Sequence, residues 1–155
     1  AARREIVLTT PYFVPGEALL TALRSAALRG VRVILIVPER IDSTLVRLAS
    51  DSYNGDLLSA GVEIRRFRDG LLHTKSIVID EEITLFGTVN LDIRSFELNF
   101  EVSLIVYDRS FSAEMRALQR DYEARSALLL PEQWRARPRL RRLVENAVQT
   151  MSPLL

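Results

Sequence analysis

The sequence contains one histidine, His73, and one lysine, Lys75, only two residues apart. Lysine and arginine together number 21, so the other 20 are arginines. Lysine offers a compact charge with three donors, whereas arginine offers a planar fork. An imidazole can transfer a proton or act as a nucleophile near neutral pH. The pair therefore predicts chemistry at an anionic centre such as a phosphoryl group, with Lys75 required for its ammonium.

The residues that follow Lys75 predict a buried strand ending in a turn. The segment Ser76–Ile79 is mostly β-branched and apolar, and two glutamates follow soon after it. Side chains of a strand alternate between its faces, so His73 and Lys75 should project from the same side. Asp80 has the opposite parity. We therefore expect Asp80 to point away from the pair and to support the fold.

A second group of polar residues follows Gly87, where the next strand should run out into a loop. The hydroxyl of Thr88 and the amide of Asn90 are suited to binding phosphoryl oxygens. Glu101 opens a further predicted strand and should orient the imidazole of His73, as carboxylates do in catalytic triads. The alternative is that His73 is a structural residue, which is the common role of an isolated histidine near a strand.

The spacing of these residues resembles the HKD signature of the phospholipase D superfamily. That signature reads H-x-K, four residues, Asp, six residues and G-T-x-N, and the matching positions are His73, Lys75, Asp80, Gly87, Thr88 and Asn90. Glu101 stands where members of the superfamily place the carboxylate that holds the histidine. Thr88 replaces a serine of many members but keeps the hydroxyl. The resemblance implies a phospholipase D-like half and phosphodiester chemistry.

Segments on both sides of the motif resemble the carboxy-terminal half of bacterial cardiolipin synthases. They are residues 9–15, 26–31, 90–101 and 152–155. This resemblance implies transfer of a phosphatidyl group between two phosphatidylglycerols, through a phosphohistidine and at the bacterial membrane. It also makes Tyr12 and Phe13 candidate substrate contacts. Core aromatics that anchor their loop would give the same pattern.

A single histidine supplies half of such a site, because a nucleophile and an acid for the leaving alkoxide are both needed. Members of the superfamily combine two HKD motifs in one chain or across a homodimer. The resemblance thus implies a partner, either an amino-terminal HKD half or a second copy, with His73 as the acid–base histidine. The acidic residues Asp80, Glu81 and Glu82 alternate in direction at a turn, so we expect no metal and no cofactor.

The amino-acid composition limits the kinds of protein that this chain can be. With 155 residues, 48% of them hydrophobic and 26% charged, the chain is typical of one soluble globular domain. It has no cysteine, and no apolar run approaches the roughly 20 residues that cross a bilayer. A net charge of +1 argues against nucleic acid as a partner. Because the chain starts Ala-Ala-Arg-Arg without an initiator methionine and runs directly into a strand, we expect an excised domain. The resemblance implies that its parent chain is associated with the membrane.

The predicted elements follow a β-α-β-α-β order before the motif. Strands are expected at 5–9, 31–37 and 62–67, helices at 16–29 and 42–61, then the motif hairpin, a strand at 101–107 and a helix at 110–128. This order predicts an α/β fold with a mixed, largely parallel sheet flanked by helices on both faces. The last helix carries an apolar stripe, formed by Phe111, Met115, Leu118 and Tyr122.

Two units are expected along the chain. Residues 1–130 should form the phospholipase D-like domain with its one HKD motif, and residues 131–155 an Arg-rich amphipathic extension packed on that domain. Five arginines between positions 135 and 142 form either a solvated helix face or a contact to anionic lipid headgroups.

Two other functions are compatible with the motif. One is a homodimeric phosphodiesterase of the same superfamily that acts on nucleic acid, against which the near-zero net charge argues. The other is an inert domain that serves only in folding or as an interface.

Overall fold

The computed structural model describes residues 2–138, with only the backbone of Glu97. The strands are β1 (Glu5–Thr9), β2 (Phe13–Val14), β3 (Arg32–Pro38), β4 (Glu63–Phe67), β5 (Ser76–Ile79), β6 (Ile83–Gly87), β7 (Leu91–Asp92), β8 (Ser103–Val106) and β9 (Ser126–Leu128). The helices are α1 (Glu17–Leu28), α2 (Thr44–Ser59), α3 (Ile93–Glu97), α4 (Arg109–Ala124) and α5 (Pro131–Arg135).

Seven of the strands found in residues 2–138 form one sheet, in the order β8-β6-β5-β1-β3-β4-β9. The pairs β1–β3 and β3–β4 are parallel, whereas the other four pairs are antiparallel. The predicted mixed α/β fold is confirmed, but the expectation of a largely parallel sheet is wrong. Loop 68–75 stays at the edge of the sheet where β4 ends, so β5 starts there and runs back against β1. A parallel strand would need a crossover to the opposite edge.

Helices cover both faces of the sheet, as predicted. Helices α1 and α2 pack on the face that carries Leu8, Val33 and Leu35. Helix α4 lies on the opposite face, where Val7 and Ile34 form the smaller apolar cluster together with the ring of Tyr122. β1 and β3 are buried on both faces, which explains their nearly continuous apolar sequences.

The ends of α1 and α2 follow from local sequence. Gly30 and Gly61 have φ values of +86° and +92° just after the last helical turns, a backbone conformation that other residues adopt at a cost. The hydroxyl of Ser43 accepts a hydrogen bond from the backbone N–H of Val46 at 3.3 Å and caps the start of α2.

Helix α4 differs from its prediction. The residues that it buries against the sheet are polar, namely Ser112, Arg116 and Gln119, each at most 3% exposed, whereas Leu118 of the predicted stripe is 39% exposed. The physical reason is that the sheet offers polar partners on this face: Glu5, Thr9, Ser76 and Thr84. The helix also ends earlier than expected, and Ser126–Leu128 pairs with β4 as an edge strand.

The start of the predicted extension packs on the body of the domain. Trp134 of α5 is 6% exposed and lies beside α2, and the guanidinium of Arg137 sits 4.0 Å from its ring centroid. The rest of the predicted amphipathic extension, residues 139–155, lies outside the described residues. Among the helices of residues 2–138, none is both long and apolar enough to span a membrane.

Candidate active site

His73 and Lys75 lie at the edge of the sheet where β1 ends and β5 begins, since Thr9 pairs with Ser76. The side chain of His73 is exposed, and that of Lys75 is half-buried. The ammonium of Lys75 donates a hydrogen bond to the carbonyl oxygen of His73 at 2.9 Å. The two chemically distinctive residues of the sequence are therefore held together at one sheet edge.

The residues that alternate with this pair are anchored in the body of the domain. Leu72 is 1% exposed in the apolar cluster under α4. The hydroxyl of Thr74 lies 3.0 Å from the Tyr122 hydroxyl, and that of Ser76 accepts a hydrogen bond from Gln119. His73 is thus exposed between two anchored neighbours, as the predicted alternation of side chains requires.

Gly87 permits a close approach between the end of β6 and the start of β8. A Cβ atom at this position would lie 2.1 Å from the carbonyl oxygen of Val102, far inside a possible contact. The N–H of Gly87 also donates to the carbonyl of Lys75 at 3.3 Å. Gly87 therefore connects the segment that carries Lys75 with the one that carries Val102.

Thr88 forms hydrogen bonds with the backbone of Val102. Its hydroxyl accepts a hydrogen bond from the N–H of Val102 at 3.0 Å, and the N–H of Thr88 donates to the carbonyl of Val102 at 2.9 Å. As a donor, the hydroxyl has only a long contact of 3.4 Å to the carbonyl of Val102, so donation by Thr88 to a phosphoryl group stays a prediction. Thr88 supports the site by fixing the chain next to Glu101.

The negative charge of Glu101 acts on Lys75, and its role as the carboxylate that orients His73 stays a prediction. No hydrogen bond joins Glu101 to His73 within the described residues; its carboxylate accepts one from the Asn99 amide at 3.3 Å. Burial lowers the pKa of Lys75, and the negative charges of Glu101 and Asp92 oppose that shift only in part. Glu101 lies two residues before β8 starts at Ser103, and the hydrogen bonds between Thr88 and Val102 hold the chain next to it.

Asp92 is a functional candidate that the sequence reasoning missed. Its carboxylate accepts a hydrogen bond from the N–H of Ser95 at 2.6 Å and caps α3, while its charge raises the pKa of Lys75. The available signal was an Asp three residues before a Ser, two positions beyond Asn90.

Asn90 and Tyr12 line a second pocket, next to the one that Lys75 lines. The other members of its wall include Asp92, Arg94 and Asn99. The side-chain oxygen of Asn90 is buried and has no hydrogen-bond partner among the described residues. Such an atom is free for a ligand that brings a donor. Tyr12 lines this pocket, and its role as a substrate contact stays a prediction.

Phe13 does not face this pocket. It is 1% exposed and belongs to the main core cluster, which corrects the expectation that it contacts substrate. Its strand, β2, pairs with β7 through Phe13 and Leu91, and the Thr10 hydroxyl accepts from the N–H of Leu91 at 3.2 Å. Phe13 thus anchors the 9–15 loop beside Asn90, the alternative stated from the sequence.

Asp80 is the fold residue that its parity predicted. Its carboxylate accepts three backbone N–H hydrogen bonds of 2.7–2.8 Å, from Arg3, Arg4 and Glu5. Burial alone would raise the pKa of Asp80, but these N–H groups and the charge of Arg4 hold it below its usual range. Asp80 and Glu81 both have positive φ and form the two-residue tip of the motif hairpin.

The charges at this edge define what it can do. The edge carries an exposed imidazole, an ammonium group and an unpaired amide oxygen. Lys75 lines a largely apolar pocket with Phe86, Val89 and Phe96, and Asn90 lines the second, partly polar pocket. Across residues 2–138, no three His, Cys, Asp or Glu side chains gather as a metal-binding set. The arrangement suits proton transfer or nucleophilic attack by His73 beside an anion held by Lys75.

Comparison with known sequences places these observations in a family. The family model described as "Cardiolipin synthase, PLD-like domain" matches residues 1–122. Cardiolipin synthase A of Serratia proteamaculans is 52% identical over all 155 residues, and that of Pectobacterium carotovorum is 50% identical. In both cases the chain spans about a third of the relative, 32% of its length.

Solved structures share the fold at low sequence identity. Nuc of Salmonella typhimurium, a phospholipase D family member, superposes with a TM-score of 0.73 at 19% identity, over 83% of this chain and 84% of that one. Phosphatidylserine synthase of Haemophilus influenzae gives a TM-score of 0.76 at 20% identity, over 99% of this chain and 42% of that one. From the matched model and the whole-length identity, this chain belongs to the cardiolipin synthase family of phospholipase D-like domains.

Proposed function

We propose that this chain is the carboxy-terminal catalytic half of a cardiolipin synthase-like transphosphatidylase that acts on phosphatidylglycerol at the bacterial membrane. The observation that supports this most is the identity of 50–52% with Cardiolipin synthase A sequences along the whole chain, motif included. The placement of His73 and Lys75 side by side at an open sheet edge supports the same chemistry.

In the first step of the proposed reaction, a histidine of the partner half attacks the phosphorus of one phosphatidylglycerol. The bond from phosphorus to the headgroup glycerol oxygen breaks, and protonated His73 gives its proton to that oxygen, so that free glycerol leaves. The phosphatidyl group remains on the partner histidine as a phosphohistidine. Lys75 binds the non-bridging oxygens and stabilises the negative charge of the transition state.

In the second step, neutral His73 takes the proton from a headgroup hydroxyl of a second phosphatidylglycerol. That oxygen attacks phosphorus, the bond to the partner histidine breaks, and cardiolipin is released. Asn90 and Tyr12 line the pocket beside this centre and are assigned to phosphoryl and headgroup contacts. The proposed cycle needs no metal ion, because the ammonium and amide groups provide the charge stabilisation.

The partner half is proposed to cover an apolar strip beside the site. From the last turn of α3 to the start of α4, large apolar side chains are unusually exposed: Phe96, Leu98, Phe100, Val102, Leu104, Ile105 and Tyr107. This strip includes the outer edge strand β8, whose backbone has no further strand beside it in the described residues. Exposed apolar area of this kind marks an interface, and the relatives are about three times as long as this chain.

The test uses a chimaera in which this chain replaces the matching third of the Serratia proteamaculans relative. With phosphatidylglycerol vesicles and a chelator, we expect equal amounts of cardiolipin and glycerol. His73→Ala should abolish both products, and Lys75→Arg should reduce them strongly because the planar fork does not replace the compact charge. Arg109→Ala, at an exposed position, is the control. Unchanged activity of His73→Ala would exclude the proposal.

A second candidate is a self-contained homodimeric phosphodiesterase that acts on nucleic acid. The observation that favours it is the match to Nuc, a chain of which 84% is covered by this one. Light scattering on the 155-residue chain decides whether it dimerises. A stable dimer that cleaves DNA in a His73-dependent manner, without making cardiolipin in the chimaera, would support this candidate.

A further inference from the structure

Helix α4 contacts the segment of His73 and Lys75 at two points, although it lies more than 30 residues further along the chain. The hydroxyl of Tyr122 is 3.0 Å from that of Thr74, which lies between the two residues. The Nε2 of Gln119 donates to the hydroxyl of Ser76, the residue after Lys75, at 3.2 Å. Both contacts are made by the neighbours of the chemically active residues.

The two α4 side chains are themselves fixed. The Tyr122 ring packs edge-on against Phe67 with centroids 5.5 Å apart, and the guanidinium of Arg125 lies 5.8 Å from its centroid. Gln119 is fully buried, and its Nε2 also donates to the carbonyl of Val7 at 3.1 Å. Tyr122 and Gln119 are thus each held by more than one contact, although the Oε1 of Gln119 has no hydrogen-bond partner among the described residues.

We infer that Tyr122 and Gln119 are positioning residues that set the geometry of His73 and Lys75 through Thr74 and Ser76. The inference rests on the proposed function for its kinetic consequence. The segment 71–75 precedes β5 and has no strand ladder of its own. The carbonyl of Lys75 is held by the N–H of Gly87 at 3.3 Å, so the alignment of the residues before it depends on side-chain anchors such as the Thr74 hydroxyl. A misplacement of about 1 Å can reduce catalysis by about 100-fold.

The same helix provides a matched control. Ser112 of α4 and Thr84 of β6 are both fully buried and share a hydroxyl–hydroxyl hydrogen bond of 2.9 Å. Thr84 pairs with Val78, two residues further into the sheet than Ser76. Loss of this bond should affect stability as loss of the Tyr122 bond does, without touching the segment of His73.

The kinetic test compares Tyr122→Phe and Ser112→Ala in the chimaera described above. Each should lower Tm by about 2–4 °C, as loss of one hydrogen bond does. We expect Tyr122→Phe to reduce kcat by roughly 5- to 20-fold with KM changed less than twofold, and Ser112→Ala to leave kcat within twofold. Gln119→Met should behave as Tyr122→Phe does. Equal effects of Tyr122→Phe and Ser112→Ala on kcat would overturn the inference.

A rescue experiment tests the path through Thr74. Thr74→Ser keeps the hydroxyl and should retain kcat, whereas Thr74→Val should match Tyr122→Phe. Because Thr74→Val and Tyr122→Phe break the same hydrogen bond, the variant that combines them should be no slower than either single variant. Additive losses would show that Tyr122 acts by another route.

A measurement on the 155-residue chain is independent of catalysis. Since His73 is the only histidine, its imidazole gives one unambiguous set of NMR signals. Tyr122→Phe should broaden or split these signals, and Ser112→Ala should not. Unchanged signals in Tyr122→Phe would overturn the inference, whether or not the chimaera is active. An inactive chimaera would count against the proposed function alone.

Discussion

The backbone of Gly87 lies against the carbonyl of Val102 so closely that a methyl group on Gly87 would come within 2.1 Å of the oxygen. The contact closes the seam between β6 and β8, in which Gly87 pairs with Ser103. It brings Glu101 to the side of the site where its charge acts on Lys75. The absence of a side chain at Gly87 thus permits the pairing of β6 with β8, and this pairing places the charge of Glu101 near Lys75.

Gly87→Ala should destabilise the domain by about 1–3 kcal/mol, because backbone atoms rather than a flexible side chain must move. Gly55→Ala is the matched control, since its methyl group would meet nothing closer than 3.7 Å and would lie in the interior of α2. That variant should gain about 0.5–1 kcal/mol. Urea unfolding measures both, and similar values for the two would contradict the close approach.

The pKa of Lys75 should lie below 10.5, the ordinary value for lysine, because burial disfavours the ammonium. Since Glu101 raises this pKa, Glu101→Gln should lower it further, and Glu114→Gln on an exposed turn of α4 should leave it unchanged. Reductive methylation with ¹³C reports the titration directly, as Lys75 is the only lysine. If Glu101→Gln left the pKa of Lys75 unchanged, the result would contradict the proximity of the two charges.

Asp80→Asn should cost about 1–2 kcal/mol, because three backbone N–H groups lose a charged acceptor. The folded-state pKa of Asp80 is below the ordinary 3.8, so its contribution is complete above that pH and is lost as the pH falls through the folded-state value. The gap in Tm between wild type and Asp80→Asn should therefore shrink under acid. A gap that persists at pH 2 would show that the charge is not responsible.

Arg116→Ala should destabilise the chain by about 3–5 kcal/mol, the range for removing one partner of a buried ion pair. Arg116 is 3% exposed and bonds Glu5 and Glu123 at 2.6 Å each, so both carboxylates would lose their partner. Arg109→Ala breaks the exposed pair with Glu82 and should cost less than about 1 kcal/mol. Chemical denaturation compares the two.

Local sequence was sufficient to predict those parts of the fold that depend on neighbouring residues. β1, the motif hairpin and the glycines that end α1 and α2 stand where patterns of burial and turn residues predict them. Strand parity also placed Asp80 away from the site. These features need no knowledge of what packs against them.

Features that depend on distant partners were not predictable in this way. The inner side of α4 carries polar residues because the sheet beneath it offers polar partners beside its apolar cluster, which no periodicity in α4 alone reveals. The reversal of β5 follows from the path of loop 68–75 along one edge. The position of Glu101 also differs from its prediction, because it lies two residues before β8 instead of opening that strand.

The buried guanidinium, carboxamide and hydroxyl of α4 also restrict how the helix can sit. Contacts between apolar side chains are not directional, so a helix with an apolar inner face can rotate or slide to a neighbouring arrangement at a small cost in free energy. Arg116 is 3% exposed and bonds Glu5 of the sheet, so a rotation of α4 that moved it away from Glu5 would leave a buried charge without that carboxylate. Such polar contacts add little net stability but exclude near-native alternatives. These polar contacts therefore fix one position of α4 on the sheet, and that position places the hydroxyl of Tyr122 beside that of Thr74.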